Sequence, residues 1–316
     1  MNVTTVLVTV LVSALVVGLA LVLFAASTSR RVERALPPTG NFVEVDGARI
    51  HYVEDGNGPL TLLLVHGLGG NAGHFTHSLV ERLAREYRVI VMERPGSGYS
   101  SRAPGAAAGP IAQAQTVAAF IRALGLDRPV LVGHSLGGAV SLATAIAEPS
   151  LVRALALVAP LTMLPSEPPA VFKGLAVASP LLRTMIGWTL ALPLSIARRE
   201  VTLTAIFGPE PVPRDFAIGG GGVLAMRPKA FVSTSTDFMA VPGDMPALMQ
   251  AYGAMRVPVS VLYGTHDRIL DPALHGDAFR ALLPQVRLEY VDGAGHMLPL
   301  TVPEQVASFV RAVAQG

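Results

Sequence analysis

The chain has 316 residues, a formal net charge of +2 and no cysteine. That length exceeds one small core, the absence of cysteine excludes a disulfide framework, and so small a charge, with no interleaved basic and aromatic pattern, argues against a nucleic-acid partner. With 51% apolar and only 15% charged residues the composition is too apolar for a fully soluble protein, and the excess is concentrated in particular segments.

The first segment is the N-terminus. Residues 1–29 carry no charged side chain, and the 21-residue run from Val6 to Ala26 is broken only by Thr9 and Ser13. About 20 apolar residues in a helix cross roughly 30 Å of hydrocarbon, so residues 1–35 are expected to form a membrane anchor. A cleaved signal peptide is the rival. It wants a basic start, which Met1 to Thr5 lacks, although Ala25, Ala26 and Ser27 would permit cleavage. Arg30, Arg31 and Arg34 follow the run, and the positive-inside tendency then puts the rest of the chain on the cytoplasmic face. Ala35 to Gly40 reads as a short linker.

Beyond it, Phe42 to Asp46 and Arg49 to Glu54 alternate as a hairpin about Asp46-Gly47. A strand over 61–65, a helix over 73–86, a strand over 88–92, a helix over 111–124, a strand over 129–132, a helix over 136–147 and a strand over 152–158 follow. Strands alternating with helices predict a mostly parallel sheet with helices on both faces, and substrate sites at the C-terminal ends of the strands. The alternation stops from about Pro160 to Met255. That insertion holds many prolines, a Gly219–Gly222 run that reads as a mobile loop, and a very apolar stretch from Gly174 to Ile196. The stretch is either a set of cap helices packed on the rest of the protein or an apolar lid lying against the membrane. Pro180, Arg183, Pro193 and Arg198-Arg199 argue against a second membrane span. Trp188, the only tryptophan, suits either a core or an interfacial role.

Three short segments carry the chemistry. Ser135 stands in Gly133-His134-Ser135-Leu136-Gly137, between a buried strand and a helix. A serine on so tight a strand-to-helix turn is strained and lifted above the sheet, and its neighbours two places away must lack bulk. A serine needs a base, and the base an orienting acid. The strand Val257 to Tyr263 runs into Gly264-Thr265-His266-Asp267, and the strand Val286 to Val291 runs into Asp292-Gly293-Ala294-Gly295-His296. His296 is therefore the expected base and Asp267 the expected acid, with Asp271 and Asp292 as rivals to Asp267. The strand Thr61 to Val65 ends in His66-Gly67-Leu68-Gly69, and the amides of Leu68 and Leu136 are the expected donors to a substrate oxyanion. His66 is expected to brace that loop by hydrogen bonding.

Together with Arg94-Pro95-Gly96-Ser97-Gly98-Tyr99-Ser100, these landmarks occur in the order found in α/β-hydrolase-fold serine hydrolases, which the chain resembles from about residue 41 to 316. The overall plan is similar to that of membrane-anchored monoacylglycerol lipases. The resemblance implies a catalytic domain over 41–159 and 257–316, a helical cap over 160–256, and no metal or organic cofactor. It also implies an ester or lipid-like small molecule as substrate. The same fold and triad also serve carbon–carbon bond hydrolases, which would want cap arginines near Ser135, and cofactor-free haloperoxidases or perhydrolases. A membrane-tethered binding protein that has lost turnover is the alternative outside the enzymes. Two departures stand out. Glu93 replaces the aspartate usual before Arg-Pro-Gly, and Ser135 replaces the elbow aspartate of dehalogenases and epoxide hydrolases.

Overall fold

The computed structural model describes residues 2–316. Eight strands form one sheet in the order β1-β2-β4-β3-β5-β6-β7-β8. They are β1 (Asn41–Val45), β2 (Ala48–Asp55), β3 (Thr61–Val65), β4 (Arg88–Met92), β5 (Val130–His134), β6 (Ala154–Val158), β7 (Val259–Gly264) and β8 (Arg287–Val291). The expected β1–β2 hairpin is present, and β2 pairs antiparallel with β4. All the remaining pairs are parallel. Every residue of β3, β5 and β6 is buried, as expected of continuous apolar runs covered on both faces. Each such leucine or valine contributes about 1.5–3 kcal/mol through burial. The strand order reverses direction beside β3, which puts the loops after β3 and β5 next to each other. Val65 lies opposite Gly133 there, and this switch point opens the crevice where ligands bind in such sheets.

Twelve helices accompany the strands in the described residues: α1 (Val3–Ala35), α2 (Gly73–Thr76), α3 (Val80–Leu83), α4 (Pro110–Ala123), α5 (Leu136–Ala147), α6 (Pro180–Trp188), α7 (Ala191–Ala197), α8 (Arg199–Phe207), α9 (Pro228–Gln250), α10 (Ala278–Leu282), α11 (Leu298–Thr301) and α12 (Pro303–Gln315). The helix predicted over 73–86 is instead two single turns, α2 and α3. Contacts from distant segments fix the break: Ser78 Oγ donates to the Pro299 carbonyl and His77 pairs with Asp215.

Helix α1 is long and apolar enough to cross a membrane. At 1.5 Å per residue its 33 residues extend about 50 Å, well beyond the hydrocarbon thickness. Its outer part is unpacked, whereas Ala25 and Val32 are buried against the domain, where α1 meets α6 and α9. The following segment is fastened, not loose. Tyr99 Oη donates to the Leu36 carbonyl, His51 Nε2 donates to the Thr39 carbonyl, and Arg227 lies 3.4 Å from Glu33.

Helices α6 to α9 fall between β6 and β7, where the insertion was expected. The Gly219–Gly222 run is packed, contrary to the sequence reading. Gly221 adopts φ +71°, accepts a hydrogen bond from Asn71 Nδ2, and Gly220 lies so close to Gly73 that a Cβ on Gly73 would clash with it. Helices α6 and α7 meet at 61°. Their apolar residues are only partly packed: Ala191 and Leu192 are buried, while Leu181, Met185, Leu190 and Leu194 are exposed.

Candidate active site

Ser135 occupies φ 53° and ψ −121°, a region costing a non-glycine residue about 1–3 kcal/mol. The surroundings over-determine that geometry. The Ser135 amide donates to the Val158 carbonyl at 3.1 Å, and its carbonyl accepts from Gly138 and Leu161, both at 2.9 Å. A Cβ on Gly137 would sit 2.1 Å from the Val65 carbonyl oxygen, and one on Gly138 would sit 2.4 Å from Pro160 Cβ. Helix and strand can therefore approach only because these positions are glycine.

His296 and Asp267 meet across the ends of β7 and β8. Asp267 Oδ2 accepts from His296 Nδ1 at 2.7 Å, and both side chains are buried. The other carboxylate oxygen, Oδ1, accepts the amides of Ile269 and Leu270 at 2.8 and 2.9 Å. With both oxygens held, the carboxylate fixes the ring plane and favours the Nδ1–H tautomer, in which Nε2 keeps its lone pair. The rival acids turn elsewhere: Asp271 caps Ala273 and Asp292 accepts from Thr265 Oγ1. The two loops interlock through glycines. A Cβ on Gly264 would meet the Ala294 carbonyl at 2.2 Å, and Gly295 donates its amide to Glu210 of the insertion. Among the described residues no hydrogen bond joins Ser135 Oγ to His296, a contact that often tightens only when substrate is bound.

The loop after β3 lies against the serine, since a Cβ on Gly67 would be 2.8 Å from Ser135 Cβ. Among the described residues neither the Leu68 amide nor the Leu136 amide donates to a protein acceptor. Both are thus free to take an external oxygen. His66 braces the loop as expected. Its Nε2 accepts from the Arg94 amide at 3.1 Å, so its Nδ1 proton goes to the Gly67 carbonyl at 2.9 Å. Burial and then the Arg94 charge push its pKa well below the usual histidine value, which keeps this neutral tautomer. His134 is likewise buried and neutral. Its pKa is pushed down by burial and then by His296, and its Nε2 reaches the His296 carbonyl at 3.1 Å.

Two supporting clusters form around Arg94 and Glu93, which the sequence marks, through partners that it does not. Arg94 is fully buried and donates to the His66 and Gly67 carbonyls at 2.9 and 2.8 Å, and to Gln113 and Asp237 at 2.7 Å each. Arg102 pairs with the other oxygen of Asp237. Asp237 sits on α9, so one carboxylate ties the insertion to the loop that presents Leu68. Burial pulls the Arg94 pKa down, and Asp237 opposes it. The Arg-Pro-Gly motif flagged Arg94, but nothing local marks Asp237 as its partner.

Glu93, the second cluster, accepts from His51 Nδ1 at 2.9 Å and from the amides of Ala72 at 3.0 Å and Tyr99 at 2.5 Å. Both His51 nitrogens face oxygens that only accept, which requires the imidazolium. Burial pushes the His51 pKa down, but the Glu93 hydrogen bond and charge and the Thr39 carbonyl outweigh it, so the pKa stands above the usual value. The departure at Glu93 is thus a structural anchor for the turn after β3.

A cavity of about 540 Å³ opens beside the acid loop. Val171, Val201, Ala205 and Ile269 give it a mostly apolar wall, to which Glu200 and Arg268 add one charge of each sign, and Ile269 is a residue whose amide holds Asp267.

The model of the alpha/beta hydrolase family matches residues 62–309. The chain belongs to that family. An N-formylmaleamate deformylase from Pseudomonas putida is 30% identical over 270 residues, covering 82% of this chain and 90% of that family member. The acetyltransferase component of an acetoin cleaving system from Cupriavidus necator is 39% identical over 120 residues. That match spans 38% of this chain and 31% of the relative's length. Among solved structures, a membrane phospholipase A superposes with a TM-score of 0.69 at 24% identity, over 99% of this chain and 97% of its own. At that identity the likeness is one of fold.

Proposed function

We propose that the chain is a membrane-tethered serine hydrolase that cleaves carboxylic esters with apolar, lipid-like acyl groups. The observation that carries this reading is the buried Asp267–His296 pair beside a strained Ser135 and two unengaged amides. His296 Nε2 takes the Ser135 proton as Ser135 Oγ attacks the ester carbonyl. The Leu68 and Leu136 amides stabilise the oxyanion, each worth about 3–4 kcal/mol in the transition state. Asp267 stabilises the imidazolium, which protonates the leaving alcohol, and water then releases the acid from the acyl-enzyme.

The mostly apolar wall of the cavity beside Ile269 supports an apolar acyl group. The cap arginines that a carbon–carbon bond hydrolase would need are otherwise engaged or exposed. Arg183 donates to Val177 and Thr236, Arg227 donates to Gly98 and lies by Glu33, and Arg198, Arg199 and Arg214 face solvent. Helix α1 supports anchoring, and the exposed Arg30, Arg31 and Arg34 support a cytoplasmic domain, which protease accessibility in intact and opened cells would test.

The test of activity is turnover of p-nitrophenyl esters from acetyl to palmitoyl by the full-length protein in detergent, beside Ser135→Ala. The expected result is turnover that disappears in the variant and favours longer acyl chains. A folded protein that reacts with a fluorophosphonate yet turns over none of these esters would overturn the ester assignment.

A further inference from the structure

Helix α6 is built inside out. Arg183 and Gly187 face the protein, with Arg183 only 7% exposed and donating to the Val177 carbonyl at 2.7 Å and Thr236 Oγ1 at 2.8 Å. Gly187 fits against Val232 and Pro228 of α9. The large apolar side chains lie on the other side: Leu181 is 72% exposed, Leu182 50%, Met185 57% and Trp188 41%. Their spacing, i, i+1, i+4 and i+7, is one helical face. Leu190 before α7, Leu194 and Ile196 on α7 and Val201 on α8 are exposed as well. A helix in contact with water is arranged the other way round, and four large apolar side chains exposed on one helical face mark an interaction surface.

We propose that this face is a membrane-docking surface, seated in the headgroup and upper acyl region of the bilayer that α1 enters. The proposal rests on the anchoring role of α1 put forward above and adds a second, non-spanning contact. Continuity with α1 selects a lipid surface as the occupant. Helix α1 packs against α6 and α9 through the part that contains Ala25 and Val32, and its exposed apolar residues begin at Phe24 and run back to Val3. The bilayer that receives those residues therefore begins beside α6. The composition fits an interfacial helix: a tryptophan on the apolar face, and Arg198 and Arg199 exposed at the end of α7 where anionic headgroups would meet them.

Trp188 is the only tryptophan of the chain and lies on the face, so it reports directly. The experiment places the full-length protein in phosphatidylcholine–phosphatidylglycerol vesicles and follows Trp188 emission. Docking predicts blue-shifted emission, loss of most of its intensity when the lipids carry bromine on the upper acyl carbons, and little quenching by aqueous iodide. The double substitution Leu181→Glu with Met185→Glu, at two exposed positions, is expected to abolish the bromolipid quenching while α1 stays inserted and the far-UV spectrum is unchanged. Ser135→Ala is expected to be quenched like the wild type, which separates this result from any failure of the hydrolase reading. Quenching by iodide and not by bromolipid would overturn the proposal by putting the face in water. Protection from both quenchers would overturn it in favour of a second copy covering the face, and unchanged quenching in the double variant would overturn it as well.

Discussion

Replacing Asp237 with asparagine keeps the shape of the side chain and removes its charge. In the native protein that carboxylate faces two guanidinium groups, those of Arg94 and Arg102, and Arg94 has no exposure to solvent. Breaking a buried ion pair from one side costs about 3–5 kcal/mol, because the remaining charge is neither paired nor hydrated. An asparagine carbonyl still accepts one bond, but its amide group then points a donor at the other arginine. The lower end, about 3 kcal/mol, is therefore expected. For a domain of this size each kcal/mol moves the midpoint of thermal unfolding by about 2–4 °C, so the midpoint falls by about 6–12 °C. Far-UV circular dichroism of the full-length protein in detergent reads this directly. Glu289→Gln is the control, since its pair with Arg287 is exposed and worth at most about 1 kcal/mol. A shift for Asp237→Asn within about 2 °C of that control would refute the reasoning, because the Arg94 charge would then have to be solvated or otherwise compensated.

Three further outcomes follow from the site. Asp267→Asn retains the fold but releases the His296 tautomer, and kcat on the best ester is expected to drop about 10⁴-fold; a loss smaller than tenfold would contradict the assigned role. Gly137→Ala would put a Cβ 2.1 Å from the Val65 carbonyl and push the Leu68 loop off the serine, lowering turnover by about 10²–10³-fold, with slower fluorophosphonate labelling as the second readout. The His51 pKa is raised in the folded state, so its contribution to stability is full below about pH 6.5 and is lost as pH rises through the folded value. Unfolding midpoints measured from mildly acidic to mildly alkaline buffer should show that fall, and Glu93→Gln should flatten it.

The sheet and the grouping of the candidate site residues were legible because each leaves a local mark. Parallel strands buried on both faces read as unbroken apolar runs, and the Ser135 turn cannot close without glycine at 133 and 137. Asp267 follows the mostly buried β7 and His296 lies on the glycine-rich loop after β8, so their meeting at 2.7 Å is implied by β7 and β8 being neighbours. What stayed hidden depends on residues far apart in sequence. Nothing near Asp237 says that it neutralises Arg94, and nothing near Arg183 says that it turns inward and leaves Leu181 and Met185 outside. Apolar content alone cannot tell a stretch that is covered by protein from one that is left bare. The Gly219–Gly222 run misled for the opposite reason, since glycines that permit motion also permit the close approach of Asn71 and Gly73.

The short segment between α1 and β1 has a mechanical consequence. Leu36 is held by Tyr99, Thr39 by His51, and Glu33 by Arg227. A tether fastened at three points transmits torque, so with α1 inserted as proposed the domain would not swivel about it to sweep the surface. A substrate held in the leaflet would instead arrive by its own lateral diffusion. For the anchored ester hydrolase proposed above, turnover would then follow the mole fraction of substrate in the membrane and not its concentration in the surrounding volume.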